Sequence, residues 1–157
     1  MPNRQSLLRL LVSGFYLGYA PAAPGTVASL FALLAWFALV KLGFWLLLGL
    51  VLFLFVLASY LCHLRVSATG EKDPGYIVID EILGMWIALL ILGTGNQADS
   101  FYFVLIAFLF FRIFDIWKIF PLKSIEKIRG GMGIMLDDAV AGIYAGVITR
   151  LIAMVLA

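Results

Sequence analysis

Cysteine and histidine are nearly missing from this sequence: Cys62 and His63 stand alone. One cysteine excludes an intrachain disulfide and any zinc site built on paired thiolates, and it says nothing of redox compartment. It does not head a phosphatase-type cysteine loop either, because after five intervening residues the chain has Ala68 rather than Arg. A single histidine argues against a histidine nucleophile. No two aspartates stand as Asp-x-Asp, which removes an aspartyl-phosphate mechanism of that type, and no Asp precedes a Gly, as the alcohol phosphotransferases of lipid synthesis require. Charge is also scarce. At 13% charged and 64% hydrophobic, with mean hydropathy +1.11, the chain is far more apolar than a soluble domain, and it reads as an integral membrane protein. The net charge of +2 is too small, and its basic residues too interrupted by apolar runs, for a nucleic-acid partner.

What is present is a series of apolar runs separated by polar turns. Arg4 and Arg9 precede a modest apolar run to Ala20, which resembles a signal peptide superficially and reads equally well as an amphipathic helix at the interface. Pro21, Pro24 and Gly25 predict a rigid turn with Thr26 as N-cap, followed by a short helix over 27–40. Residues 44–61 predict a cleaner span, 62–76 a polar segment, 77–92 a helix with Asp80 and Glu81 in its first turns, and 93–100 an outer loop. A helix from Phe101 through Arg112, Asp115 and Lys118 should stop at Pro121, and 139–157 predicts the last span. All the Lys and Arg except Lys41 and Arg150 then fall on one side, the positive-inside pattern for five crossings. The expectation is an all-α, polytopic membrane helical bundle of about five apolar helices, a single domain over 1–157, with its acidic clusters on the cytoplasmic face.

The stretch Gly130 to Gly142 reads Gly-Gly-Met-Gly-Ile-Met-Leu-Asp-Asp-Ala-Val-Ala-Gly. It predicts a glycine loop able to approach an anion, then two carboxylates at the mouth of an apolar helix. Asp80 and Glu81 repeat that arrangement, and each pair has a Gly four residues after an Asp, Asp80 with Gly84 and Asp138 with Gly142. Small residues so placed would let the two helices approach closely. Carboxylates gathered at an apolar boundary point to a hard divalent cation, with Mg²⁺ the candidate and Asp80, Glu81, Asp137 and Asp138 its ligands, Asp115 nearby. Helix-dipole stabilisation by acids at N-termini is the plainer alternative. Arg112 and Lys118 share a helix face with Asp115 and are candidates to hold a phosphate; intrahelical ion pairs, with Lys118 snorkelling, are the alternative. Pro24-Gly25-Thr26 could offer backbone N–H groups to a phosphate or simply start a helix. Lys123, Lys127 and Arg129 suit anionic membrane lipids.

Several of these motifs occur together and in order: Ala23-Pro24-Gly25-Thr26 with Ser29, Lys72-Asp73-Pro74-Gly75, Ile79-Asp80-Glu81 with Gly84-Met85-Trp86, Phe111-Arg112 with Phe114-Asp115 and Lys118, and Gly130-Gly131 through Gly133-Ile134-Met135 to Asp137-Asp138. In this the chain resembles the bacterial phosphatidylglycerophosphatase A family over about residues 13 to 145. Ala28 and Ile119 depart from that pattern, standing where Gly and Pro are usual. The resemblance implies a compact helical, Mg²⁺-dependent inner-membrane enzyme acting on an anionic phospholipid, phosphatidylglycerophosphate. Thr26, Lys72, Arg112 and Lys118 are then the expected phosphate contacts, and Asp80, Glu81, Asp115, Asp137 and Asp138 the expected catalytic acids. A cation or proton transporter would place acids nearer mid-membrane with a polar path beyond them, and a non-catalytic lipid-binding protein would not need Asp137 and Asp138. Nothing in the sequence sets an oligomeric state.

Overall fold

The computed structural model describes residues 4–71, 74–93, 100–118, 120, 122–125, 128 and 130–156, and all regular structure among them is helical. The helices are α1 (Arg4–Val12), α2 (Pro24–Leu39), α3 (Phe44–Thr69), α4 (Ile79–Leu92), α5 (Phe101–Trp117), α6 (Leu122–Ile125) and α7 (Gly131–Leu156). Among the described residues, three segments are long and apolar enough to cross a membrane, Pro24–Leu42, Phe44–Thr69 and Gly131–Leu156. With 14 and 17 residues, α4 and α5 extend about 21 and 26 Å, short of a hydrocarbon core of roughly 30 Å.

The boundaries differ from the sequence expectation for local reasons. Ala23, in the left-handed region at φ 46°, is the N-cap of α2, and Pro24 takes the first helical position, where its missing N–H costs nothing. Thr26 is therefore inside the first turn and is not the cap. The earlier start, with a single 3₁₀ turn over Val40–Leu42 at the other end, lengthens an apparently short segment to 19 residues. Polar residues after Leu61 do not end α3. Cys62, His63 and Arg65 continue it until Gly70, whose φ of 75° supplies a left-handed cap as its N–H donates to the Val66 carbonyl.

At the centre stands α4, packed against α2, α3, α5 and α7 and most extensively against α7. Its Leu83, Met85, Ala88 and Leu89 are fully buried, as are Trp36 and Leu33 of α2 and Phe111 and Val104 of α5. Many large apolar side chains are exposed on the helices around it, among them Trp45, Phe53 and Val56 of α3 and Val155 of α7. That distribution suits a solvent as apolar as the helices. The expected close approach of α4 and α7 is present: a Cβ on Gly142 would run into the Gly84 carbonyl, and one on Gly146 would sit 2.6 Å from the Ala88 oxygen.

The glycines before the second acid pair have a different use from the one expected. Gly131 and Gly133 are helical residues of α7, not a loop. A Cβ on Gly131 would strike the Ser59 carbonyl and the His63 N–H on α3, so the residue is small because two helices meet there. Only Gly130 turns, at φ 87°. Asp137 consequently lies six residues into the helix, about 9 Å along its axis, and not at its mouth.

Candidate active site

Four helices converge on one polar spot in this apolar protein. The first turn of α4 supplies Asp80 and Glu81, α7 supplies Asp137 and Asp138, the C-terminal end of α5 supplies Arg112, Asp115 and Lys118, and α2 supplies Gly25 and Ser29. A cavity of about 130 Å³ is lined by all five acids together with Lys118, Gly75, Ile77 and Ile134. Asp80, Asp137 and Asp138 are buried, at 8%, 8% and 4% exposure, which is rare for carboxylates and demands partners.

The partners divide the acids into two sets. One carboxylate oxygen from each of Asp80, Glu81 and Asp138 lies within 4.8 Å of the other two. Asp80 Oδ1, Glu81 Oε2 and Asp138 Oδ2 are buried and without a hydrogen-bond donor in the described structure. Three close carboxylates, each with an unpartnered buried oxygen, could hold a hard cation, and the residues present fit Mg²⁺ in charge and ligand type. Asp115 and Asp137 are instead paired within the protein. Arg112 Nη1 is 2.6 Å from Asp115 Oδ2, and Lys118 Nζ donates to Asp137 Oδ2 at 3.0 Å, while the Asp138 N–H donates to Asp137 Oδ1 at 3.1 Å. Asp137 thus lines the cavity but stands outside the three-carboxylate group.

The cations on α5 are placed by backbone geometry. Arg112 and Asp115 pair along the helix at i, i+3. Lys118, the C-cap of α5, has φ 45°, in the left-handed region, and its amine reaches α7 and not its own helix. The Arg112 Nε is buried with no acceptor, whereas Nη1 also donates to Ser29 Oγ at 3.3 Å. Ser29 in turn donates to the Gly25 carbonyl at 2.7 Å. Gly25 is where α2 touches the acids, since a Cβ there would collide with Glu81 Oε1.

Of the expected phosphate contacts, Lys118 lines the cavity, and Arg112 stands behind the lining, paired with Asp115. Thr26 is half-buried beside Gly25 and, among the described residues, is not part of the cavity lining. Lys72 lies outside the described residues. Gly25 and Ser29 appeared in the sequence only as parts of a motif; their i, i+4 spacing at the start of an apolar helix was the available signal for a shared face.

The phosphatidylglycerophosphatase A family model matches residues 10–153. The chain belongs to the phosphatidylglycerophosphatase A family. It is 42% identical over 138 residues to phosphatidylglycerophosphatase A of Escherichia coli (strain K12), covering 87% of this chain and 77% of that protein. It is 38% identical over 148 residues to phosphatidylglycerophosphatase A of Haemophilus influenzae, covering 90% and 85%. A Bacteroides thetaiotaomicron protein with the provisional name phosphatidylinositol-3-phosphatase is 36% identical over 149 residues, covering 91% and 92%. No solved structure matches the chain. As a member of the phosphatidylglycerophosphatase A family the chain is a phosphatase.

Proposed function

We propose that this phosphatase hydrolyses phosphatidylglycerophosphate to phosphatidylglycerol and inorganic phosphate, using Mg²⁺ held by Asp80, Glu81 and Asp138. The observation that carries the reading is the trio of close carboxylates, each with a buried unpartnered oxygen, in a cavity lined also by Lys118 and by Asp115, the ion-pair partner of Arg112. The names of the E. coli and H. influenzae relatives support the substrate. When bound, the cation supplies charge neutralisation on the phosphoryl oxygens.

The chain's own residues do the rest. Arg112 has a buried Nε with an unmet need for an acceptor, and a phosphate oxygen satisfies it; Ser29 and Asp115 hold the guanidinium at its other edge. Lys118 exchanges part of its contact with Asp137 for the incoming dianion, and Asp137 keeps the amine from swinging toward bulk water. The apolar bundle around the cavity strengthens these interactions by excluding solvent. Hydrolysis breaks the bond between phosphorus and the ester oxygen; water contributes a hydroxyl to phosphorus, and the lipid leaves as an alcohol after taking up a proton.

The site belongs on the cytoplasmic side of the bacterial inner membrane, with α4 and α5 completing five crossings. The support is the distribution of Lys and Arg. A reporter fused after Gly70 should be cytoplasmic, and one inserted at Asn96 periplasmic; the reverse would overturn the orientation. The activity test is phosphate release from phosphatidylglycerophosphate in mixed micelles by purified protein, with Mg²⁺ or with EDTA. Release only with Mg²⁺ is expected. Release from phosphatidylinositol 3-phosphate but not from phosphatidylglycerophosphate would reassign the substrate, and undiminished release in EDTA would remove the cation.

A further inference from the structure

Part of the cavity lining comes from a short segment just before α4, which contributes Gly75 and Ile77. Tyr76, between them, points away and is gripped from two directions. On one side stands Arg65 of α3, buried at 7% exposure, whose Nε donates to the Tyr76 hydroxyl at 2.6 Å while Nη1 donates to Gln5 Oε1 at 3.1 Å. On the other side Tyr19 stacks on the Tyr76 ring, with centroids 5.5 Å apart and planes 8° from parallel. The backbone is held as well. The Ile77 N–H donates to the Pro74 carbonyl, the Val78 N–H donates to the Val12 carbonyl, and Gly18 lies so close to the Tyr76 carbonyl that a Cβ would not fit.

This segment leads directly into the first turn of α4, which carries Asp80 and Glu81, and its other contacts are with α1, α3 and the turn at Gly18, which carry none of the acids; holding it fixes the approach to Asp80 and its distance from Asp138 across the cavity. We propose that Arg65 is a positioning residue for the phosphate cavity, acting through the Tyr76 hydroxyl on the backbone of Gly75 and Ile77. A guanidinium is suited to this because its planar fork serves Tyr76 and Gln5 at once, tying α1, α3 and this segment together; an ammonium would hold one of them with less directional control. The inference rests on reading the acid cavity as the place where phosphate binds.

Tyr76→Phe is the sharpest variant, since it deletes one oxygen and keeps the stack on Tyr19. It should lower kcat/KM for phosphatidylglycerophosphate by roughly tenfold, mainly through KM, with little change in melting temperature. Arg65→Met should do the same, Arg65→Lys should recover part of the loss, and the double variant Arg65→Met/Tyr76→Phe should be less than about twofold worse than either single one, because the two act in series. Binding of inorganic phosphate with Mg²⁺, followed by calorimetry, should weaken in parallel. That arm separates two failures. A parent protein that binds phosphate yet does not hydrolyse the lipid refutes the lipid reading alone, and the phosphate affinities still test the anchor. Unchanged KM and phosphate affinity in Tyr76→Phe, or fully additive losses in the double variant, would overturn the proposal.

Discussion

The two acid pairs look alike in sequence and are used differently in the fold. Asp80 and Glu81 open α4, and both point into the three-carboxylate group. Asp137 and Asp138 lie well inside α7, and only Asp138 joins that group; Asp137 turns to Lys118. Successive residues on a helix point about 100° apart, so a pair of neighbours covers a broad arc. On α4 that arc faces the cavity from below its rim, and both oxygens arrive together. On α7 the same arc spans from the cavity to the end of α5, and the pair is split between the three-carboxylate group and a tether for a lysine. Adjacent acids therefore report that charge is wanted near a spot, while the helix's rotation about its own axis decides what each one does.

Three kinds of variant test that division, beginning with the largest effect. Asp80→Asn, Glu81→Gln and Asp138→Asn should each lower kcat/KM on the order of a hundredfold, about 2.7 kcal/mol, and raise the Mg²⁺ needed for half-maximal rate. Equal Mg²⁺ dependence in all three and the parent would erase the distinction between the pairs. The next effect is structural. Gly142→Ala places a methyl against the Gly84 carbonyl and should destabilise by about 1–3 kcal/mol, read as a lower melting temperature, because it pushes apart the helices that bring the pairs together.

Asp137→Asn should behave like Lys118→Met, each costing roughly tenfold in kcat/KM, about 1.4 kcal/mol, with unaltered Mg²⁺ dependence and strong non-additivity in the double variant. A Mg²⁺ requirement that rises in Asp137→Asn as much as in Asp138→Asn would move Asp137 into the cation site. The smallest effect is on stability without metal. In EDTA, Asp80→Asn should be no less stable than the parent, since it relieves repulsion among close carboxylates. Added Mg²⁺ at about 100 times its Kd should raise the parent's stability by about 2.7 kcal/mol and the variant's by much less. A loss of stability in EDTA would favour plain helix capping by these acids.

Much of the architecture was legible because one physical quantity dominates it. Apolar runs of membrane length, broken at Gly43 and before Pro74, marked the helices, and the Gly four residues after an Asp correctly indicated where α4 and α7 touch. The convergence of all five acids on one cavity followed from placing their helix ends on one side. What could not be read depends on backbone conformation or on distant packing. Ala23 in a left-handed conformation has no composition signal, and it shifts the start of α2 so that Thr26 loses its capping role. Gly131 and Gly133 resemble an anion loop until α3 and Ile128 are seen pressed against them. Likewise the pairing of Arg65 with Tyr76 joins residues eleven apart within a stretch that the sequence offers only as a polar segment.

The shortness of α4 bears on how the chain is made. A 14-residue segment that begins with two acids is a poor candidate to leave the insertion machinery for lipid by itself, whereas α2, α3 and α7 have the length to do so. The surface that accommodates those acids and packs against Gly84 comes largely from α7, which the ribosome delivers after α4 and α5. The helix that opens with Asp80 and Glu81 must therefore be retained, in an unfinished environment, until α7 arrives. Maturation of the centre is a post-insertion event, and an arrested nascent chain that stops before Gly131 should still leave Asp80 and Glu81 open to water-soluble reagents.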